Sequence, residues 1–135
     1  MTQSITQVVA NATGHIDTRI RKATSEVFKN IRYMNPVGDP SQWKHPERAP
    51  VGYVGGNSRN NWHCTMGAPF VGEDATGTEA KILAAIPVHA GSVVYLTNNV
   101  DYIQRLEYDA HSRQTPNGMV RQSVALFEGV LNGIS

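Results

Sequence analysis

Cysteine is almost absent from this chain: Cys64 is the single one among 135 residues. That excludes an intramolecular disulfide and a multi-cysteine zinc site, and suits a protein folded in a reducing cytoplasm. An excess of charge is missing too. Twelve lysines and arginines face eleven aspartates and glutamates, for a formal net charge of +1. No strong field therefore draws the chain to nucleic acid or anionic lipid, and protein partners are the better expectation. No stretch approaches the ~20 apolar residues that cross a bilayer, and the first residues lack the apolar core of a signal peptide. A soluble protein with no membrane partner is expected. Also missing are a Gly-x-Ser-x-Gly elbow and a phosphate-cradling loop, because Gly52-Tyr53-Val54-Gly55-Gly56 is followed by neither lysine nor helix.

What is present fits one globular domain, with 40% hydrophobic and 17% charged residues and no internal repeat. Val9, Ala12, Ile16, Ile20, Ala23, Val27 and Ile31 step by three or four, the stripe of an amphipathic helix running roughly from Ser4 to Ile31 within a first segment 1–34. Such a helix is about 40 Å long, as long as a compact domain of this size is wide. Either the whole stripe lies on its own domain, or part of it overhangs and packs on a neighbouring subunit. Asn35-Pro36 ends it. The segment 36–56, with its prolines, glycines and Trp43, reads as a long ordered loop or arm.

The remaining segment, 57–135, reads as the α+β core. Val51 to Val54 and Asn61 to Met66 suggest a hairpin, with Trp62, Cys64 and Met66 on one face. Thr78 caps a short helix that Pro87 stops. Ser92 to Thr97 is the strongest strand signal, and Asn98-Asn99 suits a turn. Asp101 to Tyr108 is a short helix with Tyr102, Ile103 and Leu106 inward and Arg105 outward. Thr115-Pro116 starts a last helix whose buried stripe is Val120, Val124, Phe127 and Leu131. The expectation is an α+β fold: a long N-terminal helix and a small, sandwich-like antiparallel sheet, with a short helix and a C-terminal helix packed on it.

Chemistry-bearing clusters are few. His15, His45, His63, His89 and His111 show no i, i+4 pairing, so no metal site and no cofactor are expected. His63 and Cys64 are adjacent on a strand, which turns them to opposite faces and leaves no activated thiol. Glu107 and Asp109 diverge on a helix, which favours a solvated or interface role over paired catalytic carboxylates. Arg19, Arg21, Lys22, Lys29 and Arg32 share the polar side of the first helix. They form either a solvated face or a surface near DNA or an acidic partner.

Two ordered sets of residues resemble a known family. Asn35-Pro36-Val37 followed by Gly56-Asn57-Ser58-Arg59-Asn60-Asn61-Trp62 is the first. Tyr95, Asn98, Asn99, Tyr102, Leu106 and Glu107, then Pro116, Gly118, Met119, Val120 and Arg121, is the second. Together they resemble the minor tail, tail-completion or neck proteins of tailed bacteriophages, over most of the chain from Pro36 onward. Two departures stand out: Gly38 to Gly55 lengthen a link that is uninterrupted in many relatives, and Asp109 replaces a common glycine. The resemblance implies a virion protein of the phage neck or tail without catalytic activity. It would form a homo-oligomeric ring, commonly six-fold, at the head-tail joint. Its neighbours would be a head-closure or connector protein and a tail terminator or tail tube protein, with passing DNA in transient contact. In a ring each subunit presents two complementary surfaces. Val9, Ile16, Ile20, Trp43 and Tyr53 are the candidate apolar interface residues, and Arg59, Arg105, Glu107 and Arg121 the candidate intra- or intersubunit ion-pair residues. A tail-terminator ring capping the tube is the nearest alternative, and a small hydrolase or nucleic-acid-binding module the alternative from another class.

Overall fold

A single helix, α1 (Ile5–Met34), is the spine to which the rest of the chain attaches. The computed structural model describes residues 4–42, 44–109 and 114–133. The Ser4 hydroxyl caps α1 by accepting from the Gln7 amide at 3.1 Å, and Asn35 ends it in an extended conformation imposed by Pro36. Its 30 residues span about 45 Å.

After α1 come a loop with 3-10 turns at Pro40–Gln42 and Pro46–Arg48, and a third such turn at Arg59–Asn61. Then follow β1 (His63–Met66), α2 (Glu79–Ala85), β2 (Val94–Thr97), α3 (Ile103–Tyr108), α4 (Val120–Val124) and α5 (Phe127–Gly133). β1 and β2 pair antiparallel, from His63 opposite Thr97 to Met66 opposite Val94. The fold is α+β, as the sequence suggests. One core joins the second half of α1 to the segments after residue 61: Val27 and Ile31 of α1 meet Trp62, Ile82, Leu106 and Met119. The Thr78 hydroxyl caps α2 by accepting from Lys81, and α2 lies on β1.

Four expectations need correction. Val51 to Val54 is not a strand: the Tyr53 amide bonds Pro50 O in a turn, and Val51 and Val54 point into solvent with no core face to fill. The partner of β1 is therefore β2, and β1 begins only at His63 because Asn61 is held in the preceding 3-10 turn. Thr115-Pro116 forms a turn closed by Gly118 N to Thr115 O at 3.1 Å, and the helix starts later, at Val120. A break at Ala125 and Leu126 splits it, leaving Val124 exposed and Ser123 buried in its place. The main packing partner of both C-terminal helices is α1.

Candidate assembly interface

Glu107, expected to be solvated or at an interface, is only 5% exposed and caps a helix inside its own chain. One carboxylate oxygen accepts from the Met119 and Val120 amides at 2.7 and 2.9 Å, the other from the Arg121 amide at 2.9 Å and from Arg121 Nε at 3.1 Å. Arg121 also donates to the Glu107 carbonyl and lies over the Tyr108 ring. These are the free N–H groups of the first turn of α4, where a negative charge is most favoured. Gly118 makes the approach possible. At φ +83° it takes a left-handed turn, and a Cβ there would come within 2.6 Å of the Glu107 carbonyl. Burial pushes the Glu107 carboxyl up, but the three amides and Arg121 outweigh it and hold it below its ordinary 4.5.

Arginines do the complementary work at helix C-termini. Arg59 donates to Asn35 O and Tyr33 O at the end of α1, Arg21 to Leu83 O near the end of α2, and Arg19 to Leu131 O near the end of α5. Beside Arg59 lies a buried polar hub. Asn35 donates to Ser58 Oγ at 2.6 Å and accepts from Trp62 Nε1 at 2.8 Å, while Arg32 bridges Asn60 and the Gly77 carbonyl. Asn98 ties in Ser58 O, and Asn99 holds the Phe70 and Gly72 carbonyls. Asn35, Ser58, Arg59, Asn60, Trp62, Asn98 and Asn99 belong to the two ordered sets named above, and Arg19, Arg21 and Arg32 do not. Their side chains hold backbone in place.

Two surfaces are left over. The first is the start of α1. Asp17, 8% exposed, accepts from His89 Nδ1 at 3.0 Å and the Ala90 amide at 2.8 Å, bonds that hold its carboxyl below the ordinary range. It marks the last level at which the body covers the helix. Residues 4–16 are exposed on every side, including Val9 and Ile16 of the predicted stripe with Ile5 and Val8. Ile20, one turn further on, is half-buried. The projecting piece is about 18 Å long and contains no aspartate, glutamate, lysine or arginine.

The second surface is the 36–56 loop, which is clasped at its base rather than extended. A side chain at Gly55 would run into the Gly38 carbonyl and Val37, and one at Gly38 into the Tyr53 hydroxyl. Gln114 pins the same base by accepting from the Val37 amide at 3.2 Å and donating to its carbonyl at 2.9 Å. Val51 and Val54 face solvent, while Tyr53, its hydroxyl against Gly38, is 38% exposed. Trp43 lies outside the described residues, as does His111. Arg105 is exposed on α3, apart from the Glu107–Arg121 pair. Sequence reasoning singled out Asn35 only as the end of the first helix and as part of a motif, and missed Asp17 and Gln114. Asp17 alone carried a local signal, an acidic residue at the edge of an apolar stripe.

The basic side of α1 is less free than its composition suggests, because Arg19, Arg21 and Arg32 turn to carbonyls of the body. Between α1 and α2 it borders an open groove of about 480 Å³. Among the described residues no group of histidine, cysteine or carboxylate side chains gathers to hold a metal, and no helix is long and apolar enough to cross a membrane. No protein-family model matches the chain, and no curated protein or solved structure matches it.

Proposed function

We propose that this protein is a structural subunit that assembles with copies of itself into a ring. The ring belongs at the head-tail joint of a tailed phage, where it links the head connector to the tail and lets DNA pass. The assembly reading is carried by one observation, the uncovered first half of α1. Its valines, isoleucines, threonines, asparagine and glycine are mediocre to poor helix formers. A free-standing helix of about a dozen such residues is marginal in water. Among the described residues nothing in its own body covers it, and no ion pair can form along it. Its exposed stripe continues the one that Ala23, Val27 and Ile31 bury further along, so a second apolar surface is what completes it. In a closed ring that surface belongs to the next subunit, and the clasped 36–56 loop with Val51, Tyr53 and Val54 at its surface is the complementary candidate.

The placement at a phage neck rests on the resemblance. In support of it, Arg59, Trp62, Asn98, Asn99, Glu107, Gly118 and Arg121 build helix ends and a polar hub, as suits a scaffold. Negatively stained virions labelled with antibody to this protein test the placement. Label confined to the neck is the expected result; label at the far tail tip, or none on virions, overturns it.

A further inference from the structure

The groove between α1 and α2 has a chemistry of its own. Arg21, Lys22 and Lys29 line it with a single carboxylate, Glu26, and Leu83 and Val88 form an apolar side. Arg21 gives one Nη to the Leu83 carbonyl at 3.3 Å, while its Nε is buried without a hydrogen-bond partner. Lys29 is held loosely: Glu26 lies 3.6 Å away and Glu79 4.0 Å, both beyond ordinary hydrogen-bond length. Lys22 is exposed at the rim, and Val88 is 66% exposed. Two lysines free to reorient beside an apolar wall call for a ligand that brings carboxylate and hydrocarbon together.

The geometry points to a docking site for an extended acidic segment of a protein partner, carboxylates on Arg21, Lys22 and Lys29 and an apolar side chain against Leu83 and Val88. Duplex DNA fits less well. It presents a charge about every 1.7 Å of its axis and is held by many phosphate contacts at once, whereas three cations and one carboxylate line this groove. Charge-assisted hydrogen bonds to a carboxylate are shorter and stronger than neutral ones, and the apolar wall adds contact area that a phosphodiester chain cannot use. This inference stands on the groove alone and does not depend on the ring.

Fluorescence anisotropy with a labelled short peptide of alternating glutamate and leucine tests it on the full chain. Saturable binding is expected, weakening as salt rises. The pair Lys22→Gln and Lys29→Gln, both at solvent-accessible positions, is expected to weaken it about tenfold, and Val88→Ser, which removes apolar wall without changing the charge, to weaken it as well. Circular dichroism melts of the variants separate lost binding from lost fold. The proposal is overturned by a peptide that does not saturate, by unchanged affinity in the variants, by equal binding of a glutamine-for-glutamate peptide, or by a duplex DNA that binds tighter through the same lysines.

Discussion

Glu107 is the residue on which the C-terminal third depends. Replacing it with glutamine keeps the shape but removes the charge that three amides and Arg121 converge on. We expect Glu107→Gln to lower stability by about 1–3 kcal/mol, read from urea denaturation. The same carboxyl gives a pH signature. Because the folded state holds it below its ordinary 4.5, its contribution is fully present above that pH and is lost as pH falls through the folded value. Asp17 and Asp74 are held low as well and act with the same sign. The wild-type melting temperature should therefore fall in acid, and the Glu107→Gln variant should fall less steeply over that window; parallel curves would sink the assignment. Asn35 poses the opposite case, a neutral group with no exposure at all. Asn35→Ala leaves Trp62 Nε1 without its acceptor, and a loss of about 1–3 kcal/mol is expected in the same assay.

At the scale of elements, what the sequence disclosed is what local rules govern. Ser4, Asn35-Pro36, Thr78 and Pro87 bound α1 and α2 because caps and proline act within one turn of their own position. The start of α4 escaped the same reasoning. Thr115 offers a hydroxyl and Pro116 a fixed φ, yet the Thr115 Oγ1 is buried without a partner, and the cap comes from Glu107, twelve residues before Met119. Local sequence carries no sign of a cap that distant. The Val51 to Val54 error has the same root: its alternation is strand-like, but pairing depends on what lies alongside, and β2 takes that place next to β1. Gly118 offers the test at this scale. Gly118→Ala adds a methyl group where φ is +83° and the Glu107 carbonyl and carboxylate lie at 2.6 and 2.8 Å. A destabilisation above about 1 kcal/mol is expected, more than the strain of φ alone. If Gly118→Ala melts with the wild type, the turn does not hold Glu107 over α4.

For the whole molecule, the stripe on α1 was legible, but how much of it the body covers was not. Coverage is set by where α2, α4, α5 and the His89 loop attach, and the Asp17 contacts with His89 and Ala90 mark the boundary only once the chain is folded. Beyond that boundary, Val9 at 58% and Ile16 at 52% exposed contribute little to the monomer. Substitution at such positions usually shifts stability by no more than about 0.5 kcal/mol. The pair Val9→Glu and Ile16→Glu keeps helix propensity, because glutamate is a better helix former than either residue it replaces. It also places two charges on the face that must become dry if subunits meet there, where an unpaired buried charge costs several kcal/mol. Light scattering on a sizing column, over a range of concentrations, should then give a larger assembly for the wild type and a monomer for the double variant, with equal urea midpoints at monomer concentrations. A wild type that stays monomeric at high concentration, or a double variant that assembles equally well, would remove the first half of α1 from the interface. A Gln104→Ala variant on exposed α3 serves as the control for surface change in general, and its assembly should match the wild type if the projecting helix and not the surface at large brings subunits together.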